Sequence, residues 1–355
     1  MTRLPNDAKV GKATDVGGAG AGAAAAASAA AAASAAAAQV PADYSSVAVL
    51  VPCYNEAQTV AKVVADFRAA LPGATVYVYD NNSSDGTAAL AREAGAQVRH
   101  EPRQGKGNVV RQMLRDVDAA YYVLVDGDDT YPADEAPALL APLMRGEADT
   151  VVGDRLSNGT YGAENKRAGH GFGNNLVRDL VSLLYGFRYA DIMTGYRAFT
   201  RVFARTLPVL SDGFQIETEL SIHAADKRWR IAQVPIDYRD RPAGSESKLN
   251  TVSDGIRVLG MIAGLFKDYK PLGFFSLLAA LSLVVGLALG IPVVAEFRAT
   301  GLVARFPTAI LAVAFCGLAA LLLVCGLILD TVVKGNRREW ELRVTEEFAR
   351  ERERA

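Results

Sequence analysis

Tyr121-Tyr122-Val123-Leu124-Val125-Asp126-Gly127-Asp128-Asp129 is an apolar run that stops abruptly on carboxylates. An uninterrupted stretch of β-branched, aromatic and aliphatic residues reads as a strand buried on both faces of a sheet. Ligands of an open α/β sheet bind beyond the carboxyl ends of its strands, so the loop after Val125 stands where chemistry is expected. Two carboxylates one residue apart, Asp126 and Asp128, can face one hard cation. Mg2+ or Mn2+ would suit them, because these ions take oxygen ligands and keep waters and substrate phosphates. A ligand-free acidic turn would use the same residues, so this stretch alone leaves both readings open.

The same pattern repeats upstream. Val49-Leu50-Val51-Pro52-Cys53-Tyr54-Asn55-Glu56 runs from a strand into a polar loop and then a helix. Val78-Tyr79-Asp80-Asn81-Asn82-Ser83-Ser84-Asp85-Gly86-Thr87 does so again. Asp80 leaves its strand where a carboxylate could accept bonds from a base or ribose. Asp85 stands at the next helix start, as an N-cap or a ligand contact. Arg103-Gln104-Gly105-Lys106-Gly107-Asn108 is a Gly-flanked lysine opening a helix, a combination that suits an anion. A plain turn would want the same glycines.

Across residues 44–250, apolar runs predict strands at Val47–Val51, Thr75–Tyr79, Gln97–His100, Tyr121–Val125, Thr150–Val152 and Ile231–Tyr238. Amphipathic stretches predict helices at Ala57–Ala70, Thr87–Ala94, Gly107–Val117, Asp134–Arg145, Gly173–Leu184 and Gln215–Ala225. The alternation specifies an α/β domain with a mostly parallel sheet covered by helices. Order and spacing of the four motifs make the combination specific. The chain resembles the family-2 glycosyltransferases of GT-A fold, a Rossmann-like nucleotide-diphospho-sugar transferase architecture. That family has a Pro-x-Tyr-Asn-Glu loop, a Ser-x-Asp-Gly-Thr loop, a Gly-Lys-Gly helix start and a metal-binding Asp-x-Asp, in this order. The resemblance implies that Pro52, Tyr54, Glu56, Asp80 and Lys106 line a nucleotide-sugar pocket. It also implies that Asp126 and Asp128 hold a metal on the diphosphate.

The downstream half looks like the polyprenyl-phosphate hexosyltransferase branch of that family. Gly153-Asp154-Arg155, Arg167, Asp191-Ile192-Met193-Thr194-Gly195-Tyr196-Arg197 and the loop from Arg241 to Leu249 carry the likeness. That loop has one extra residue between Arg241 and Ser247 relative to the branch's usual form. The resemblance nominates Arg155, Arg167, Arg241, Ser247 and Lys248 as lipid-phosphate binders, and Asp128, Arg155 and Glu217 as the catalytic set. Glu217 is expected to orient sugar hydroxyls, because a phosphate monoester with a second pKa near ~6 is already an oxyanion at neutral pH. What catalysis must then supply is a cationic cradle in line with the anomeric carbon, and direct displacement inverts the donor anomer. Asp191 and Arg197 are expected to form an ion pair. His100, His170 and His223 are expected to be structural or solvent-facing.

The whole chain has 355 residues, half of them hydrophobic and 22% charged, with a net charge of −1. That balance excludes a protein lying mostly inside a membrane, and it removes bulk attraction to nucleic acid. Cys53, Cys316 and Cys325 are too few for a disulfide framework. Residues 1–43 form an Ala-rich tail with nothing to bury, expected to be dispensable. Thr251–Phe266 has apolar residues at helical spacing and is expected to lie on a membrane surface, within a 251–270 interfacial segment. Pro271–Ala295 and Phe306–Leu329 contain no charge, each long enough to cross a ~30 Å hydrocarbon core, and they predict a two-span hairpin over 271–333. Lys267, Lys270, Lys334, Arg337 and Arg338 flank it, which predicts that the domain and both termini face the cytoplasm at the inner membrane. Residues 334–355 read as a solvated charged helix.

The expected function is inverting transfer of a hexose or N-acetylhexosamine from a nucleotide sugar to polyprenyl phosphate at a lipid bilayer. A UDP-sugar is favoured because Asp80-Asn81-Asn82 departs from the Asp-Asp-Gly-Ser common in mannose synthases. The chain is expected to bind no nucleic acid, and homo-oligomerisation is left open. GDP-mannose-dependent synthesis is the first alternative. A membrane polysaccharide synthase, a nucleotidyltransferase and a catalytically silent membrane adaptor are others.

Overall fold

In a computed structural model, the described residues are 43–157, 178–179, 181–183, 185–213, 215–239, 260, 264 and 266–354. The candidates Arg167, His170, Arg241, Ser247 and Lys248 lie outside them, as do most of the expected helix Gly173–Leu184, most of the expected interfacial helix and the tail before residue 43.

The chain begins as the apolar patterning requires. β1 (Val47–Cys53) is followed by α1 (Val60–Ala70), β2 (Thr75–Asp80), α2 (Thr87–Glu93), β3 (Gln97–His100), α3 (Lys106–Asp116) and β4 (Tyr121–Leu124). A 3₁₀ turn (Ala133–Glu135) leads into α4 (Ala136–Met144), then β5 (Thr150–Asp154), β6 (Arg197–Thr200), α5 (Arg201–Thr206), α6 (Ile216–Asp226) and β7 (Ile231–Pro235). The strands form one sheet in the order β3-β2-β1-β4-β6-β5-β7. β6 alone runs antiparallel to its neighbours β4 and β5. The other six strands are parallel to one another, so their carboxyl ends share one edge of the sheet. Because β6 points the other way, it is the loop entering it, 191–196, that reaches this edge.

Alternation along β1 divides the core. Val47, Val49, Val51 and Cys53 pack with Val63, Val64 and Phe67 of α1 and with Leu139, Leu140 and Leu143 of α4 on one face. Ala48 and Leu50 point to the other face, against Val110 and Met113 of α3, Phe203 of α5 and Leu220 of α6. Helices therefore cover both faces, as a doubly wound sheet requires. The sequence omits β6 and α5: their four- and six-residue lengths are too short for a period to show.

Two long helices end the chain. α7 (Pro271–Thr300) and α8 (Phe306–Arg354) are both long and apolar enough to cross a membrane. Small residues let them approach closely: Gly286 lies against Cys316 and Ala312, and Ser282 Oγ donates to the Phe315 carbonyl at 2.8 Å. α8 continues unbroken to Arg354, at ~1.5 Å per residue. Its final part is not solvated all round, as its charge density suggests. Trp340 packs edge-on against Trp229 at 5.5 Å and His223 at 5.8 Å, Val344 is buried, and Arg337 pairs with Asp226. Glu351 adds an ion pair to Arg201 at 3.0 Å. The helix places apolar and charged partners on one face, which a tally of charges does not reveal.

Candidate active site

The carboxyl edge of the sheet gathers the sequence motifs. Cys53, the last residue of β1, is buried among acidic groups: burial pushes its thiol pKa well up, and the charges of Glu56, Asp80, Asp126 and Asp128 push it further. That thiol therefore marks the place where the three motif loops meet.

Each loop is held by its own polar residues. Asn55 adopts φ +55°, its N–H donates to Ser83 Oγ at 2.9 Å, and its Oδ1 accepts from Ser84 N at 2.8 Å. Glu56 N donates to Thr87 Oγ1, and Ala57 N donates to Asp85 Oδ2. Asp85 also accepts from Thr87 N and Oγ1, just ahead of the Gly86 N-cap of α2, so it ties the first two loops together. Asn81 donates to the carbonyls of Glu101 and Arg103 and accepts from Gly105 N at 2.7 Å. Asp80 is 7% exposed; its Oδ2 accepts from Ser83 N and faces His100 Nδ1 at 3.6 Å. Among the described residues, none donates to its buried Oδ1. A buried orphan acceptor is costly, so this oxygen is the kind of group that a ligand N–H or hydroxyl satisfies.

The start of α3 differs from expectation. Gly105 sits at φ +127°, and the amides of Gly107 and Asn108 donate to the Asp212 carbonyl at 3.0 and 3.3 Å. The helix start thus spends its amides on the chain rather than offering them to an anion. Lys106 instead turns inward, its side chain 7% exposed, and places Nζ 2.5 Å from both Asp126 Oδ1 and Glu217 Oε1. Burial alone would lower the ammonium pKa, but the two carboxylates outweigh it and raise the pKa. Burial raises the Glu217 pKa, and Asp126 adds to this while Lys106 opposes both. Glu219 serves the fold, accepting from Leu210 N and Ser211 N.

The acidic loop is tightly seated. Thr59 Oγ1 donates to the Gly127 carbonyl at 2.6 Å, and Asp128 Oδ1 accepts from Thr130 Oγ1 at 2.6 Å. A Cβ on Gly127 would come within 2.6 Å of Cys53 Sγ, and one on Gly195 would overlap the Asp126 carboxylate. Both glycines are therefore required by close approach. Asp126 and Asp128 supply hard oxygen donors, which fits a Mg2+-type cation. Among the described residues, no group of three or more His, Cys, Asp or Glu side chains could cage a metal. Two carboxylates alone would hold such an ion only together with substrate oxygens.

Arg155 follows β5 directly. Its Nε and Nη2 donate to Asp191 Oδ2 and Oδ1 at 2.6 and 3.1 Å, and its Nη1 donates to Tyr131 OH at 3.3 Å. Its guanidinium also lies over the Tyr238 ring, 5.4 Å from the centroid. Asp191 thus pairs with Arg155 and not with Arg197. Arg197 is fully buried and donates to Ile192 O, Thr194 O and Ser221 Oγ instead. Tyr131 and Tyr238 stand outside the quoted motifs, whereas Gly195 lies within the Asp191–Arg197 stretch. Where the domain meets the long helices, a cavity of about 470 Å³ is lined by Leu183, Phe266 and Leu272, with Lys270 and Asp330 among its walls.

Comparison with known proteins agrees with this fold. Residues 48–207 match the model of glycosyl transferase family 2. The chain is 37% identical over 253 residues to glycosyltransferase AglJ of Haloferax volcanii, covering 71% of this chain and 82% of that one. It is 33% identical over 215 residues to a dolichyl-phosphate hexose transferase of the same organism, covering 61% of this chain and 91% of the relative. Among solved structures, it is similar to glucosyl-3-phosphoglycerate synthase from Mycobacterium tuberculosis in complex with Mn2+, UDP-glucose and phosphoglyceric acid. That likeness has a TM-score of 0.50 at 25% identity, and covers 66% of this chain and 82% of that one.

Proposed function

The chain belongs to glycosyl transferase family 2 and is an enzyme, and we propose that it transfers a hexose or N-acetylhexosamine, with inversion, from a nucleotide sugar to the phosphate of a polyprenyl phosphate. The observation that carries this reading is Arg155, held on Asp191 at the sheet edge that also carries Asp126 and Asp128, in a chain ending in two membrane-length apolar helices. A relative named for dolichyl-phosphate hexose transfer supports the acceptor class. A solved neighbour holding Mn2+ and UDP-glucose supports a UDP-sugar and a divalent ion.

On this reading, Pro52, Tyr54, Glu56 and Asp80 hold the nucleoside, and the orphan Oδ1 of Asp80 accepts from it. Asp126 and Asp128 would hold Mg2+ or Mn2+ on the diphosphate, where such an ion neutralises the charge of the leaving group. Lys106 adds a fixed positive charge beside the same oxygens, and Glu217 holds Lys106 and orients sugar hydroxyls. The acceptor oxygen needs no base, because a phosphate monoester is already largely ionised at neutral pH. Arg155 offsets repulsion between the two phosphate groups, and the cavity beside Lys270 receives the first isoprene units. Arg167, Arg241, Ser247 and Lys248 are proposed to complete the phosphate cradle. α7 and α8 span the bilayer, with the catalytic domain and both termini in the cytoplasm.

The test is to incubate membranes containing the chain with polyprenyl phosphate and a panel of radiolabelled UDP- and GDP-sugars. Label is expected in an organic-soluble, mild-acid-labile product from a UDP-sugar. Label in no lipid fraction contradicts the proposal, and label from GDP-mannose alone replaces the donor.

A further inference from the structure

We propose that Asp191 is a positioning residue for the acceptor: it fixes the plane of the Arg155 guanidinium beside the acidic loop, so that affinity for the lipid phosphate depends on it while affinity for the nucleotide sugar does not. This rests on the acceptor assignment made above and names the residue that makes Arg155 competent for it.

Among the described residues, four contacts confine the guanidinium. Both Asp191 carboxylate oxygens receive N–H donors from Arg155, at 2.6 and 3.1 Å. A two-point contact of planar groups fixes rotation as well as distance. Tyr131 OH takes a third N–H at 3.3 Å, and the Tyr238 ring lies against the guanidinium. The two tyrosine rings brace each other edge to face at 5.5 Å.

Asp191 is itself buried and bonded on both oxygens. It has no solvent exposure, and its Oδ1 also accepts from Met193 N at 3.2 Å. The nearby alternative cation in the same segment, Arg197, is turned away into backbone carbonyls and Ser221.

A salt bridge serving the fold alone would need no link to the acidic loop, yet one exists. Tyr131 OH, which receives the Arg155 N–H, also receives the Gly195 N–H at 2.9 Å. Gly195 in turn packs directly on the Asp126 carboxylate. The position of Arg155 is therefore set relative to Asp126 through one hydroxyl and one glycine. That is the geometry needed to hold an incoming phosphate at a fixed offset from a donor diphosphate.

The test uses the full-length chain in detergent, with polyprenyl phosphate and whichever labelled nucleotide sugar the wild type accepts. Asp191→Asn is expected to raise KM for polyprenyl phosphate at least tenfold while KM for the nucleotide sugar stays within twofold. Tyr131→Phe, which keeps the ring and removes only the hydroxyl, is expected to raise the acceptor KM about threefold or more. It carries the test alone if Asp191→Asn is recovered unfolded. Acceptor KM unchanged in the folded variants, or both KM values rising together, overturns the proposal while the acceptor assignment stands. A wild-type chain that labels no lipid overturns the assignment, and this proposal with it.

Discussion

At the residue scale, the site is a problem of placing like charges close together. Asp126, Asp128, Glu56 and Asp80 all act electrostatically on Cys53, and among the described residues Lys106 is the buried cation that joins Asp126 to Glu217. Asp128→Asn keeps an oxygen for Thr130 to donate to, so the fold is expected to survive. Transfer is expected to drop at least about 100-fold, as when an electrostatic contact to developing charge is lost; a melting curve beside a transfer assay checks both. Gly195→Ala drives a methyl group into the Asp126 carboxylate and is expected to cut activity about tenfold or more with a small change in Tm. Glu135 offers a pH test. It accepts from Asp237 N at 2.9 and 3.1 Å, and burial raises its pKa from the usual 4.5 to about 7. The folded state then binds the proton more tightly than the unfolded chain, so this group's contribution is full below about 4.5 and is lost as pH rises to about 7. Glu135→Gln is expected to flatten the fall in stability over that window, measured by unfolding at several pH values. Asp126 and Asp128 are legible in the sequence because an apolar run delivers them directly to the sheet edge. The Asp191–Arg155 pair is not, because which arginine faces Asp191 depends on the direction of β6.

At the scale of elements, β6 explains most of what sequence reading leaves out. Six strands and their helices follow from apolar alternation and length. β6 has four residues and runs against its neighbours, so neither period nor the βαβ rule points to it. Its reversal brings the 191–196 loop to the carboxyl edge and buries Arg197, which bonds to Ile192, Thr194 and Ser221. α8 is the second departure. Its last turns carry Trp340 onto Trp229 and His223, and His223 is buried and neutral, its pKa lowered to about 3 by burial. α6, which carries His223 and Asp226 near its end, presents Glu217 near its start. Trp340→Ala is expected to destabilise the catalytic domain by ~3 kcal/mol, the lower end of the range for aromatic truncation because the ring stays partly exposed. Chemical unfolding of the detergent-solubilised chain measures this, and an unchanged midpoint would show that the helix end only rests on the domain.

At the scale of the molecule, half of the residues are hydrophobic, and they belong to unlike parts: the sheet interior, two helices with exposed leucines and valines, and the alanine-rich stretch within residues 1–43. Near-zero net charge conceals a local order in which Lys106 and Arg155 stand beside acidic groups at one sheet edge. A glycosyltransferase domain against which the far end of α8, itself half of a membrane-length hairpin, packs would suit the lipid acceptor proposed above. The most direct measurement is mass spectrometry of the product made by the purified full-length chain from polyprenyl phosphate and a nucleotide sugar, run beside polyprenol without its phosphate. The proposed acceptor chemistry requires a polyprenyl-phosphate sugar, formed with release of nucleoside diphosphate, and no product from the polyprenol. Transfer to the polyprenol, or to a saccharide in preference to the lipid phosphate, would contradict it.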